Sequence, residues 1–151
     1  MSSILNTYAR KKISFKKGKG CYLYADDGKK YLDFVQGIAV NSLGHCHSHL
    51  IKTINKQSKK LWHVSNAFTI LEQEKLAQRL CKHTFADAVA FQNSGTEATE
   101  LAIKLARKYF YSQGKKNKNK VVTFQGAFHG RTLAALFAAN NPKHIEGFGP
   151  K

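Results

Sequence analysis

The sequence predicts an α/β fold, and two features carry that expectation. From residue 88 onward, apolar runs alternate with helical periodicity: Ala88-Val-Ala-Phe-Gln, a helix through Ala98–Phe110, Val121-Val-Thr-Phe, and a helix through Arg131–Ala139. Strand–helix–strand–helix order is the pattern of a sheet covered by helices. Ahead of it, Cys21-Tyr-Leu-Tyr and Tyr31-Leu-Asp-Phe-Val flank Asp26-Asp-Gly-Lys. That reads as a hairpin, its glycine supplying the positive φ such turns require. The 151 residues suit one domain, or one piece of a larger one.

The elements follow in order. Residues 9–19 carry Arg10, Lys11, Lys12, Lys16, Lys17 and Lys19 with Gly18, and read as an exposed basic segment. After the hairpin, Leu50, Ile51, Ile54 and Leu61 predict a helix over 50–61. Thr69–Cys81 reads as a second helix, with Leu71, Leu76 and Leu80 set among Glu72, Glu74 and Lys75. The run 88–92 is short and continuously apolar, as in a strand buried on both faces of a parallel sheet. Ala98, Leu101, Ala102, Leu105, Ala106, Tyr109 and Phe110 then keep the i, i+3, i+4, i+7 spacing of an amphipathic helix. Gly114 ends it, and Gly114–Lys120 is a basic loop before the strand 121–124.

Composition removes several function classes. The longest apolar run is the seven residues Leu133–Ala139, far below the ~20 a membrane helix needs. No membrane association is expected. The first residues lack an apolar signal core, and three scattered cysteines (Cys21, Cys46, Cys81) do not make a disulfide framework. A cytoplasmic location is expected. The net charge of +16 raises a basic nucleic-acid-binding module as a rival reading. The Gly114–Lys120 run has no interleaved aromatics and no nucleic-acid motif around it, so no nucleic-acid partner is expected.

Three clusters bear on chemistry. Asn93-Ser-Gly-Thr-Glu-Ala-Thr lies between a strand and a strong helix. Ser94 and Glu97 match a capping box, and Gly95 lets the backbone turn sharply. Free amides at a positive helix end suit a phosphate; a capped helix with no ligand accounts for the same residues. Gln125-Gly-Ala-Phe-His-Gly-Arg-Thr repeats the strand-to-helix setting. There Phe128 offers a flat face and Arg131 a planar fork for a carboxylate, or they are a core ring and a solvated helix-start residue. His45-Cys-His-Ser-His49 would share a face on an extended backbone. With no second ligand cluster, no metal is expected.

Taken together, these segments resemble one family. Tyr31-Leu-Asp-Phe-Val-Gln-Gly-Ile-Ala-Val-Asn-Ser-Leu-Gly-His, Gln92-Asn-Ser-Gly-Thr-Glu-Ala, Ala127-Phe-His-Gly-Arg-Thr-Leu-Ala-Ala-Leu and Lys143-His-Ile-Glu-Gly-Phe-Gly-Pro are similar to class-III pyridoxal-phosphate-dependent aminotransferases. The wording is nearest to members acting on N2-acetylornithine. The resemblance implies a fold-type-I transferase fragment: a basic segment (1–19), an N-terminal hairpin and linking helix (20–65), and an incomplete start of the large cofactor domain (66–151).

It also implies pyridoxal 5'-phosphate as cofactor, with Gly95 and Thr96 on its phosphate, Phe128 stacked on its ring, and Arg131 on the substrate carboxylate. The implied reaction moves the terminal amino group of N2-acetylornithine to 2-oxoglutarate, giving glutamate, in a homodimer. Arginine biosynthesis is the implied context, with succinyl-diaminopimelate in lysine biosynthesis as a second one. Ornithine, succinylornithine and 4-aminobutyrate are the alternative donors within the class. The family's His-Pro is His47-Ser48 here. The family's Schiff-base lysine matches no residue of this sequence, so no catalytic lysine is assigned. The 151 residues alone are expected to be inactive.

Overall fold

The computed structural model describes residues 3–150, and the chain divides into two units, Met1–Ile70 and Leu71–Lys151.

In the first unit β1 (Phe15–Lys19), β2 (Tyr22–Ala25) and β3 (Lys30–Leu32) form an antiparallel sheet in the order β1-β2-β3. The expected hairpin is β2–β3, in the register Tyr22↔Leu32, Leu23↔Tyr31 and Tyr24↔Lys30. Gly28 turns it at φ 86°, and the Ala25 N–H donates to Lys29 O at 2.9 Å. Asp27 accepts from the Lys29 N–H at 3.1 Å and pairs with its Nζ at 3.0 Å. These contacts hold its carboxyl below the ordinary value. The end of the basic segment is not loose: residues 15–19 pair with β2 as β1, because a two-stranded ribbon leaves an edge of unpaired amides that a third strand covers. Phe15 and Tyr31 meet edge to face at 5.5 Å, and Lys30 Nζ sits 3.7 Å from the Tyr22 ring centroid. Ala25, at the end of β2, is 2% exposed.

After β3 the backbone makes a left-handed turn, α1 (Gln36–Ala39). Gln36, Gly37, Ile38 and Ala39 take φ of 50°, 63°, 64° and 62°. For a residue with a Cβ that conformation costs about 1–2 kcal/mol. Helix α2 spans Ser48–Gln57, starting and ending slightly before the expected 50–61.

The second unit holds α3 (Leu71–His83), α4 (Gly95–Ser112), α5 (Leu133–Ala139) and α6 (Pro142–Ile145). The three long helical expectations here are met within a few residues at each end. The two strands expected at 88–92 and 121–124 are not formed: both segments are irregular. No neighbouring strand among the described residues pairs with them, and a ladder needs two sides. The segment 121–126 is tied instead to the end of α5. Thr123 Oγ1 donates to Ala138 O at 2.7 Å, and the Gly126 N–H donates to Ala139 O at 3.0 Å.

The buried apolar residues are few. Ala25, Ala135 and Ala139 are the buried hydrophobics among the described residues. The chain exposes 13656 Å². A compact monomer of its mass would expose about 7,700 Å², and two separate compact units of half that mass about 9,000 Å². Phe34, Trp62, Phe85, Val122 and Phe124 are each more than four-fifths exposed.

Candidate functional site

The second unit brings two loops together at the N-terminus of α4. Ser94 is the N-cap, and its Oγ accepts from the Glu97 N–H at 3.2 Å. The expected capping box is therefore present in part. The Ser94 hydroxyl donates to Glu97 Oε2 at 3.1 Å, and Asn93 Nδ2 reaches Glu97 Oε1 at 3.4 Å. These contacts tie the Glu97 carboxylate to the two residues that precede the helix. Gly95 and Thr96 follow the cap, where N–H groups have no intrahelical acceptor and the helix dipole is positive. Space around Gly95 is open: a Cβ built there meets nothing within 4 Å.

Thr96 carries the junction to the second loop. Its Oγ1 accepts the Arg131 N–H at 3.2 Å, which leaves the hydroxyl hydrogen to donate elsewhere. Gly130 is buried with φ 133°, and a Cβ on it would lie 2.8 Å from the Thr96 Cβ. Only glycine lets the loop approach that closely. Thr132 Oγ1 donates to the Glu100 carboxylate one turn further along α4. The contact anchors the start of α5, whose Ala135 is fully buried.

Phe128 and Arg131 lie on the outer side of this junction. The Phe128 ring is 71% exposed, and Arg131 Cζ stands 5.9 Å from its centroid, within cation–π range. His129, between them in the chain, has its Nε2 buried without a hydrogen-bond partner among the described residues.

All four expected site residues are thus in the second unit. Thr96 and Arg131 are joined by a hydrogen bond, Arg131 and Phe128 by their ring contact, and Gly95 by adjacency to Thr96. Sequence reasoning missed Gly130, Thr132 and Glu100, which hold the loops to each other. A glycine just before a helix was the available signal for Gly130; the Glu100 pairing had none.

The histidine cluster goes elsewhere. His45 Nε2 meets Asp33 Oδ2 at 2.7 Å, His47 is the N-cap of α2, and Ser48 and His49 are already helical. The extended backbone that would have aligned the three rings therefore does not exist. Among the described residues no group of three His, Cys, Asp or Glu side chains is placed to hold a metal ion.

The donor set fits an anionic group attached to a flat ring: two helix-end amides, a threonine hydroxyl, an exposed aromatic face and a guanidinium. The family pattern of aminotransferase class-III matches residues 5–151. This chain belongs to the class-III aminotransferases.

Curated members are similar over nearly its whole length. It is 53% identical over 148 residues to the acetylornithine aminotransferase of Agrobacterium fabrum, covering 98% of this chain and 37% of that protein. To the acetylornithine aminotransferase of Aquifex aeolicus it is 50% identical over 151 residues, covering 40% of that protein. The chain thus spans under half the length of these relatives.

Solved aminotransferase structures match its fold. The N-acetylornithine aminotransferase of Stenotrophomonas maltophilia superposes with a TM-score of 0.74 at 38% identity, covering 82% of this chain and 34% of that one. The ornithine aminotransferase of Toxoplasma gondii, described with pyridoxal phosphate at its active site, superposes with a TM-score of 0.88 at 27% identity, covering 98% of this chain and 35% of that one. Class-III aminotransferases are pyridoxal-phosphate enzymes of fold type I, and this chain is a fragment of that fold. Among the described residues no helix is long and apolar enough to cross a membrane.

Proposed function

We propose that these residues belong to an aminotransferase that moves the terminal amino group of N2-acetylornithine to 2-oxoglutarate. The observation that carries this reading is the 53% identity over 148 residues to a protein named acetylornithine aminotransferase. The Thr96–Arg131 junction supports the roles.

In this reading the amides of Gly95 and Thr96, with the Thr96 hydroxyl, hold the cofactor phosphate at the positive end of α4. Phe128 covers one face of the pyridine ring. Arg131 grips the α-carboxylate of the donor and leaves its terminal amine at the reacting end. The Thr96 Oγ1–Arg131 N–H bond ties the phosphate cradle to the carboxylate clamp. Fixing both ends of the arrangement is what positioning catalysis needs. Pyridoxal phosphate, when bound, supplies the electron sink. No lysine here is assigned the nucleophile's role, so we ascribe binding, and not turnover, to residues 1–151. The active form is a cytoplasmic homodimer of the longer chain. Arginine biosynthesis is its context, with succinyl-diaminopimelate as a second substrate.

Donor preference in the longer enzyme tests the reading. N2-acetylornithine should exceed ornithine and 4-aminobutyrate in kcat/KM, and ornithine as best donor would replace the proposal with its nearest alternative. Arg131→Ala should raise KM for α-carboxylate donors by about 100-fold, while a simple diamine without a carboxylate is little affected. Thr96→Val should weaken cofactor binding by about 10-fold or more, read from cofactor absorbance on titration.

A further inference from the structure

The first unit holds a strained element that nothing in the proposed reaction uses. Gln36–Ala39 is a left-handed turn closed by its own hydrogen bonds, with the Ile38 N–H donating to Val35 O at 2.8 Å and the Val40 N–H to Gln36 O at 3.0 Å. Three of its four residues, Gln36, Ile38 and Ala39, carry a Cβ. Its side chains do not supply the compensation: Ile38 is 86% exposed, and Ala39 is exposed as well. Backbone strain persists only where surrounding structure over-determines it.

The restraint lies at the base of the turn. Asp33, 9% exposed, accepts the Val35 N–H at 3.0 Å and the Gln36 N–H at 2.9 Å on Oδ1. Its Oδ2 takes the 2.7 Å contact from His45 Nε2. His45 is itself fixed on both sides. Its backbone exchanges hydrogen bonds with Gly20 at 2.7 and 3.0 Å, and a Cβ on Gly18 would lie 2.6 Å from its ring. Asp33 is held from behind, its N–H donating to Cys21 O at 2.8 Å.

We propose that Asp33 and His45 form a latch that holds Gln36–Ala39 in its left-handed state against the preference of its own residues, with the three-stranded sheet as the rigid frame. Both are positioning residues. One carboxylate oxygen orients the two amides that enter the turn, and the other is tied to a histidine anchored on the sheet. Releasing either tie lets the turn relax to extended or right-handed backbone while the sheet stays paired.

The test uses the 151-residue chain, isotope-labelled, as Asp33→Ala and His45→Phe, each with and without Ala39→Gly. His45→Phe keeps a ring against Gly18 but removes Nε2. Two readouts apply: cleavage between residues 35 and 41 by a non-specific protease, and amide exchange of Tyr22–Ala25. Each latch variant should raise the cleavage rate by about tenfold or more, as for loss of a charge-assisted hydrogen bond, and raise exchange in β2 by a clearly smaller factor. Ala39→Gly should restore most of the resistance, because glycine adopts positive φ without penalty. Three results would overturn the latch: unchanged cleavage in both variants, loss of β2 protection in step with the turn, or no rescue by Ala39→Gly.

Discussion

Two short strand-like segments of four residues meet opposite fates in this chain. Tyr22–Ala25 has β1 on one side and β3 on the other and is a strand. Val121–Phe124 consists wholly of β-branched and aromatic residues, a higher strand propensity than that of Tyr22–Ala25 with its Leu23 and Ala25, and yet is irregular, with Val122 93% exposed. The difference lies in the neighbours. The hairpin partner of β2 follows within five residues, so its ladder closes locally. A parallel strand needs a partner brought from far along the chain, and none of the described residues supplies one. Strand formation is a property of a pair.

That contrast can be broken or sharpened, beginning with the largest effect. Amide exchange on the 151-residue chain should be on the order of 100-fold slower across Tyr22–Ala25 than across 121–124. Equal protection would mean that the second segment finds a partner. Gly44→Ala attacks the better-formed side. Gly44 has φ 79° and packs on Gly20, whose O would lie 2.8 Å from the new Cβ. The Gly20–His45 bridge should open, with a loss of about 2 kcal/mol or more in denaturant unfolding of the first unit.

On the other side, Ala135→Leu should cost about 1–3 kcal/mol by overpacking the one fully buried position of α5. Ser94→Ala should cost about 1 kcal/mol through the lost α4 cap. Val122→Thr should change stability by less than about 0.5 kcal/mol. A larger loss there would show the segment to be buried after all.

Acid should act on the first unit through Asp33. Its carboxyl is held below the ordinary 3.8, chiefly by the Gln36 N–H and then by His45. A depressed folded-state value means that the contribution is complete above the unfolded value and is lost as pH falls through and below it. Chemical denaturation of Asp33→Ala across pH 3–6 should lack that part of the slope.

The legible parts of the sequence were the local ones. Helix α4 was readable from its seven-residue apolar spacing and its Ser94–Glu97 cap, and the β2–β3 hairpin from the Asp-Gly turn. The site residues Gly95, Thr96, Phe128 and Arg131 could be chosen because two strand-to-helix loops stood in order. Their mutual contact could not. That Thr96 Oγ1 receives the Arg131 N–H depends on Gly130 packing against it across 34 residues of sequence. His45 shows the opposite failure. Its spacing with His47 and His49 suggested one shared face, but α2 begins at Ser48 and Asp33 claims the first ring.

By itself the sequence determined the family, the helices, the hairpin turn and the residue types of a phosphate-and-carboxylate site. Those rest on spacing, capping and turn chemistry, all interactions within a few residues. Tertiary structure alone decided which apolar segments become strands, which glycines permit loop-to-helix contact, and that Asp33 and His45 restrain a left-handed turn. Each of these depends on atoms brought together from distant positions, where the energy of a contact is set by geometry that no local pattern encodes.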